Sequence, residues 1–312
     1  VQANLDQPFE IDEAIRLGAE GVGLLRTEFL VIGHREIPSE EEQFDAYRSV
    51  VEAFPGREVT IRTFDIGGDK YPQFMSMKQE DNPYLGWRAI RVCLDEPELF
   101  QNQLRAAVRA ADHGNVRLLV PLVTSADELI RTREHLESTY GALGKEPGSG
   151  GVPVGLMVET PAAVETLDLL APYVDFVSLG TNDLTQYVLA ADRGNPKVAE
   201  LYDPLHPALI RLYARVVEAC EHHHLDLSVC GELSADPIGV AVLLGLGYRK
   251  FSVSLSSLAE IRELIRHLSV SDLVALCAGN ARCESGEDVR GIVQEYLDRT
   301  GALKVGGTVL EG

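Results

Sequence analysis

Short apolar or β-branched runs recur along the chain and alternate with longer stretches of helical periodicity. Most of these runs show little alternation between apolar and polar positions. Such runs are typical of strands that are buried on both faces of a parallel sheet. We therefore predict eight strands, at residues 1–4, 21–25, 58–63, 116–123, 153–158, 176–180, 227–229 and 250–254.

Helix start signals lie between these runs. Ser39 and Glu42 have the spacing of a capping box, and Ser125 precedes two acidic residues that suit a first helical turn. Thr160 followed by Pro161 gives an N-cap and a proline at the first helical position. Eight strand–helix units in about 270 residues predict an α/β fold of the (β/α)8 TIM barrel type, with a doubly wound open sheet as the alternative.

The pattern weakens after residue 270, and this predicts two parts. Residues 1–270 would form the barrel, and residues 271–312 a short C-terminal helical extension that ends in a loose tail. A last helix is predicted at 286–299 and the tail at 301–312. The glycine-rich stretch 140–152 is interpreted as a surface loop, because its glycines match no nucleotide-binding fingerprint.

Charge and cysteine content limit the possible binding partners and the cellular location of the protein. The chain has 28 basic and 48 acidic residues and a net charge of −20, which argues against nucleic acid or anionic lipid as a partner. No apolar run reaches the roughly 18 residues of a membrane span, so no membrane insertion is expected. The five cysteines include no Cys-x-x-Cys pair. We therefore expect reduced thiols and a cytoplasmic location rather than a disulfide framework or a thiolate zinc site.

Five of the apolar runs end in a polar or reactive side chain. In a barrel the carboxyl ends of the strands meet at one mouth, so these side chains should converge. They are Arg26, Arg62, Glu159, the pair Asn182 and Asp183, and Cys230.

These residue types together suit one kind of ligand. Arginines bind carboxylate and phosphate groups through paired hydrogen bonds, and two carboxylates without nitrogen or sulfur ligands suit Mg²⁺. A thiol near a cation can act as an acid or base. Taken singly, a strand-end arginine could be a solvated cap, Glu159 could interact with the helix start at Thr160, and Cys230 could be a buried small apolar residue. Taken together, they predict a site for a small molecule that carries both carboxylate and phosphate.

Six segments resemble one family of enzymes, in the same order along the chain. The chain is similar to the phosphoenolpyruvate (PEP)-binding half of enzyme I of the bacterial sugar phosphotransferase system, within the PEP-utilising enzyme family that includes pyruvate phosphate dikinase and PEP synthase. The segments are GVGLLRTEFL (21–30), IRTFDIGGDK (61–70), NPYLGWRAIR (82–91), GLMVETPAA (155–163), LGTNDLTQYVLAADRGN (179–195) and CGELSADP (230–237).

The resemblance implies a role for individual residues. It implies that Glu159 and Asp183 bind Mg²⁺ and that Cys230 is the proton donor to the methylene carbon. It also implies a set of substrate-binding residues, namely Arg26, Arg62, Asn182, Asp183 and Arg193.

Three further residues of these motifs need comment. Lys70 and Arg88 are weaker candidates for a phosphate contact. Arg193 lies ten positions after Asp183, and a straight helix would carry it about 15 Å away. The intervening segment must therefore fold back if Arg193 is to join the site, and Asp192 could equally be its salt-bridge partner.

The implied reaction is phosphoryl transfer from PEP to a histidine, with release of pyruvate. The family's phosphoryl-accepting histidine lies in a separate domain whose motif is absent here. Because this motif is absent, we expect either that the chain was cut from a longer protein or that a phosphohistidine domain is supplied in trans, and its start inside the first predicted strand favours a cut. The resemblance also implies a homodimer. A non-catalytic PEP-sensing or dimerisation module, and an aldolase or lyase that uses Mg²⁺ and an enolate, are the alternatives.

Overall fold

A closed parallel barrel forms the centre of the molecule. The computed structural model describes residues 1–32, 36–67, 80–146, 151–280 and 283–302, without side chains for 279 and 280. Each strand in these ranges pairs with the next, and the last pairs with the first, which confirms the barrel over the open sheet. The strands are β1 (Gln2–Leu5), β2 (Val22–Leu25), β3 (Glu58–Arg62), β4 (Asn115–Val120), β5 (Val154–Val158), β6 (Phe176–Leu179), β7 (Asp226–Val229) and β8 (Lys250–Val253).

Helices surround the barrel and cover the outer face of its strands. None of those in the described ranges is both long and apolar enough to cross a membrane. They are α1 (Ile11–Arg16), α2 (Glu40–Ala53), α3 (Ile90–Asp95), α4 (Pro97–Ala110), α5 (Ala126–Ala142), α6 (Pro161–Glu165), α7 (Leu167–Leu170), α8 (Thr181–Leu189), α9 (Pro207–His223), α10 (Pro237–Leu246), α11 (Leu255–His267), α12 (Val270–Asn280) and α13 (Gly286–Thr300).

The predicted helix starts are confirmed. Capping boxes begin α2 at Ser39 and α5 at Ser125, and the Thr160 hydroxyl accepts a hydrogen bond from the third residue of α6. The predicted loop at 140–152 is wrong at its beginning. Tyr140 belongs to α5 and is buried, and its hydroxyl accepts a hydrogen bond from the Val152 amide. Gly141 therefore lies in the last turn of a helix.

The C-terminal helices are part of the same core. Helices α12 and α13 both pack against α10, and Leu273, Val293 and Leu297 are fully buried. The predicted last helix is confirmed as α13. The division of the chain at residue 270 stays a prediction, and most of the predicted tail, 303–312, lies outside the described residues.

A bulge in β2 sets the direction of one strand end. Val22 and Leu25 lie opposite Val59 and Ile61 of β3, so β2 holds one extra residue between them. Because side chains alternate along a strand, an extra residue reverses which face the following side chains occupy. Leu24 consequently packs inside the barrel, and Arg26 lies on the same face.

Candidate active site

A cavity of about 220 Å³ opens at the carboxyl ends of the strands. It is lined by every residue of the predicted catalytic, substrate-binding and metal-binding sets, but not by Arg88, a weaker candidate for a phosphate contact. The predicted convergence of strand-end side chains is therefore confirmed. The lining consists of Leu24, Arg26, Arg62, Asp65, Met157, Glu159, Gly180, Asn182, Asp183, Arg193, Cys230, Gly231 and Glu232.

Arg62 is the last residue of β3 and is held by two carboxylates. Its guanidinium lies 2.6 Å from Glu28 and 3.2 Å from Asp65. Burial alone would lower the pKa of Arg62, but these carboxylates outweigh that effect and raise the pKa further, so the guanidinium stays charged. Its Nε lies in the interior without a hydrogen-bond partner in the described part of the chain.

Arg88 lies behind the cavity wall. An antiparallel bridge between Gly67 and Arg88 brings it beside Asp65. Its guanidinium donates to Asp65 at 2.9 Å, to Asp183 at 2.8 Å and to the Tyr187 hydroxyl at 3.2 Å. Arg88 therefore fixes two carboxylates of the site. Lys70, the other weaker candidate, lies outside the described residues.

Arg193 reaches the site because the chain reverses after α8. Ala190 ends this helix in the left-handed conformation, with φ of 51°. The guanidinium of Arg193 then lies 3.4 Å from Asp183 Oδ1, while Asp192 accepts a hydrogen bond from the Gly194 amide instead. The predicted reversal of the chain is confirmed. Arg26 is more exposed and is paired with Asp6 at 2.7 Å.

Two buried carboxylates share the floor of the cavity. Glu159 follows β5, and its Oε1 accepts a hydrogen bond of 2.7 Å from the Leu122 amide. Burial, together with the negative charges of Asp183 and Asp65, raises the pKa of Glu159 to about 8. Asp183 Oδ1 is buried and has no hydrogen-bond partner among the described side chains and backbone groups.

This donor set fits a hard divalent cation. Among the described residues, no group of three or more His, Cys, Asp or Glu has the arrangement of a metal site. Mg²⁺, however, is commonly bound by one or two carboxylates, with substrate oxygens and water completing its shell. Asp183 Oδ1 makes no hydrogen bond with the described residues, although the Arg193 guanidinium lies 3.4 Å away, and the Glu159 carboxyl group beside it has a raised pKa. A cation bound by both groups would favour their ionised forms.

The Cys230 thiol points into the barrel beside these groups. It is 3% exposed and packs with Leu24, Leu119 and Met157, and its Sγ donates to the Leu179 carbonyl at 3.6 Å. Burial raises the pKa of Cys230 to about 11, although the nearby Ser178 side chain opposes part of this effect. The side chain is therefore a neutral thiol at neutral pH and can donate a proton.

Asn182 is fixed at the rim by neighbouring loops. Its amide nitrogen donates to Glu232 at 3.0 Å, and its side-chain oxygen accepts from the Glu232 amide at 2.9 Å. The Tyr202 hydroxyl donates to the Asn182 carbonyl. These contacts hold the Asn182 side chain in one orientation toward the cavity.

Three acidic residues of the site were given no role from the sequence. Glu28 and Asp65 follow the ends of β2 and β3 by three residues each, and Glu232 follows Cys230 by two. The i, i+3 spacing of Arg62 and Asp65 was the available signal for an ion pair. Nothing in the sequence links Glu28 to Arg62, because they come from different strands.

None of the histidines that the structure describes lines the cavity. His206 Nδ1 accepts a hydrogen bond from the Ala208 amide, so this side chain caps the start of α9. His222 and His223 form the last turn of the same helix, where partial negative charge favours basic groups.

Known proteins resemble this chain over most of its length. A family model described as "PEP-utilising enzyme, PEP-binding domain" matches residues 1–270. The phosphoenolpyruvate-protein phosphotransferase of Staphylococcus carnosus (strain TM300) is 42% identical over 296 residues, which are 94% of this chain and 52% of that protein. The protein of the same name from Haemophilus influenzae (strain ATCC 51907 / DSM 11121 / KW20 / Rd) is 41% identical over 299 residues, 95% of this chain and 52% of that protein.

The chain thus spans about half the length of the curated relatives it matches. Among solved structures, a citrate lyase from Burkholderia xenovorans LB400 aligns with a TM-score of 0.47 at 18% identity, over 84% of this chain and 79% of that chain. An alignment at that level says nothing about function. The family model covers the whole barrel and all six motifs, which confirms the resemblance, and the chain belongs to the PEP-utilising enzyme family, whose PEP-binding domain it carries.

Proposed function

We propose that this chain binds PEP at the barrel mouth and acts in phosphoryl transfer from PEP to a histidine on a separate domain. The observation that carries the proposal is the arrangement of the cavity. Three arginines, the three buried carboxyl groups of Asp65, Glu159 and Asp183, and a neutral thiol face one space of about 220 Å³. PEP carries a carboxylate and a phosphate, and it leaves an enolate that needs a proton, so each group of the cavity has a chemical counterpart.

The arginines would hold the two charged ends of the ligand. Guanidinium groups bind carboxylate and phosphate oxygens through paired, charge-assisted hydrogen bonds. Arg62 is immobilised by Glu28 and Asp65, and Arg193 faces Asp183, so both are oriented before a ligand arrives. Asn182 would add a hydrogen bond from its fixed position at the rim.

Glu159 and Asp183 would hold Mg²⁺. When bound, the cation would neutralise negative charge on ligand oxygens. We assign no further protein ligand to the cation, because Asp65 is bound by Arg62 and Arg88 and Glu232 is bound by Asn182. Asp183 differs from them because Arg88 holds its Oδ2 while its Oδ1 makes no hydrogen bond with the described residues.

Cys230 would complete the reaction. The bond between the enol oxygen and phosphorus breaks as phosphorus bonds to the acceptor histidine nitrogen, and the electron pair remains on the enolate. The enolate methylene carbon then takes the thiol proton of Cys230 to give pyruvate, and the thiolate regains a proton from water. A thiol that stays protonated at neutral pH suits this role.

The first test is calorimetric titration of the chain with PEP, with Mg²⁺ and then with excess chelator. Arg26→Met should weaken binding by roughly ten- to hundredfold, because a charge-assisted hydrogen bond contributes about 1.5–3 kcal/mol. Arg48→Met is the matched control, since Arg48 is equally exposed and forms a similar single ion pair, with Asp45 on α2. Wild-type chain that binds no PEP under either condition would refute the proposal.

A second test separates catalysis from sensing. A histidine domain of a relative is supplied in trans, and its phosphorylation by PEP is measured. Wild-type chain should transfer the phosphoryl group, and Cys230→Ala should bind PEP but release pyruvate much more slowly. Binding without any transfer would favour the non-catalytic PEP-sensing module. The homodimer that the family implies is checked by sedimentation of the same samples.

A further inference from the structure

A chain of buried polar side chains connects α2 and α4 to the strand ends that carry the arginines. We name it the Gln103 relay, and it consists of Gln43, Tyr47, Gln103 and Thr27. Each of these side chains is 0% exposed. Burying an amide or a hydroxyl costs free energy unless its hydrogen bonds are satisfied. Four buried polar side chains between the helices and the barrel are therefore expected to form a connected set of hydrogen bonds.

Gln103 is the centre of the relay. Its Oε1 accepts a hydrogen bond from the Phe64 amide at 3.0 Å. Its Nε2 donates to the Thr27 hydroxyl and to the Tyr47 hydroxyl, at 3.2 Å each. A single side chain on α4 thus contacts the segment after β2 and the segment after β3.

The relay continues in both directions. The Thr27 hydroxyl donates to the backbone carbonyl of Arg62 at 3.0 Å. On the other side, the Tyr47 hydroxyl donates to Gln43 at 3.2 Å, and Gln43 donates to the Pro38 carbonyl at 3.1 Å, just before α2 begins. Burial raises the pKa of Tyr47, so its hydroxyl remains a donor.

The two segments that Gln103 joins carry two arginines of the cavity. Thr27 immediately follows Arg26, and Phe64 lies two residues after Arg62. The barrel's backbone hydrogen bonds extend one residue past these strand ends, since the Arg26 and Thr63 amides donate to the carbonyls of Leu5 and Leu119. The next amide after β3, that of Phe64, is held by the Gln103 side chain instead. We propose that Gln103 is a positioning residue, which fixes the Arg62 backbone relative to that of Thr27 and thereby sets the spacing of the Arg26 and Arg62 guanidinium groups.

This inference rests on the proposed function, since the spacing matters for a ligand with two anionic ends. The test compares Gln103→Met with Gln101→Met. Gln101 lies on the same helix and is hydrogen-bonded to His135 and Thr139 of α5, away from the cavity. Both variants keep the length of the side chain and remove one amide.

Binding of PEP with Mg²⁺ is measured at a temperature at which urea titration shows each variant to be folded. We expect Gln103→Met to weaken PEP binding at least tenfold and Gln101→Met to stay within twofold of wild type. Equal losses in the two variants, or a folded Gln103→Met that binds like wild type, would overturn the inference. If Gln103→Met does not fold, Thr27→Val should show the same loss, and Thr27→Ser, which keeps the hydroxyl, should restore binding.

A readout without PEP separates this inference from the proposed function. The Nε–H cross-peak of Arg62 in a nitrogen–proton NMR spectrum is identified by its loss in Arg62→Lys. Gln103→Met should shift or broaden this cross-peak, and Gln101→Met should leave it in place. An unmoved cross-peak in Gln103→Met would overturn the positioning role, whereas wild-type chain that binds no PEP would refute only the proposed function.

Discussion

Replacing the Glu159 carboxylate by an amide should change how the stability of the chain depends on pH. Glu159→Gln keeps an oxygen that can accept the Leu122 amide hydrogen bond, and it removes the negative charge that faces Asp183 and Asp65. An ordinary glutamate has a pKa of 4.5, and in the folded chain Glu159 has a pKa of about 8. The variant therefore isolates the free-energy cost of burying this charge.

The direction in which the free energy of unfolding changes with pH depends on whether the folded or the unfolded chain holds the Glu159 proton. Between pH 4.5 and about 8 the folded wild-type chain holds the Glu159 proton and the unfolded chain does not. The free energy of unfolding must then fall as the pH rises through this range. At about 1.4 kcal/mol for each pKa unit, the loss is several kcal/mol, with about 5 kcal/mol as the limit. That is a large part of the about 5–15 kcal/mol that stabilises a typical folded protein.

The assay is urea denaturation from pH 5 to pH 9 in the presence of a chelator. The free energy of unfolding of wild type should fall below that of Glu159→Gln by several kcal/mol at pH 9, and the two should converge toward pH 5. Glu137→Gln, at an exposed position of α5, is the control and should follow wild type. Added Mg²⁺ should stabilise wild type at high pH and leave Glu159→Gln unchanged. Parallel curves for wild type and Glu159→Gln would show that the carboxyl group is not held out of its ordinary range.

Two further predictions concern the barrel wall and the thiol. At Gly23, in the bulge of β2, a Cβ would lie 2.4 Å from Ser252 Oγ, so Gly23→Ala should lower the free energy of unfolding by about 1–3 kcal/mol. Gly141 lies on α5 with open space around it, so Gly141→Ala should raise the free energy of unfolding by about 0.5–1 kcal/mol. Urea denaturation measures both changes. With a pKa of about 11, roughly one Cys230 side chain in a thousand is a thiolate at pH 8. The rate of its alkylation by iodoacetamide should therefore rise about tenfold for each pH unit between 8 and 10. Mass spectrometry measures this rate. A Gly23→Ala chain as stable as wild type, or a pH-independent alkylation rate, would contradict these predictions.

The pattern of apolar runs predicts most of the fold, and it predicts the mouth of the barrel through the side chains that end those runs. Arg62, Glu159 and Cys230 could be predicted in this way because each ends or directly follows a buried strand, and in a barrel such positions share one face. Arg193 required the motif as well, because a left-handed residue at Ala190 turns the chain back and no periodicity signals this turn.

The groups that hold the arginines could not be predicted in the same way. Glu28 meets Arg62 only through the pairing of neighbouring strands, and Gln103 occupies what looks in the sequence like an ordinary polar position of a helix. The bulge in β2 likewise could not be predicted from the sequence, since the run from Val22 to Leu25 is apolar on both faces. Pairwise contacts between distant segments decide these features, and local periodicity carries no information about them.

The pairing of every cavity arginine with a carboxylate also bears on how fast an anion can arrive. Arg26, Arg62 and Arg193 each already face a negative group, and the whole chain carries a net charge of −20. An anionic ligand therefore approaches against the long-range field and gains attraction only within a few ångströms of the mouth. Salt screens this repulsion, so a higher ionic strength should speed the encounter, the reverse of an electrostatically guided association. The cavity thus selects its ligand at contact and does not draw it in from a distance.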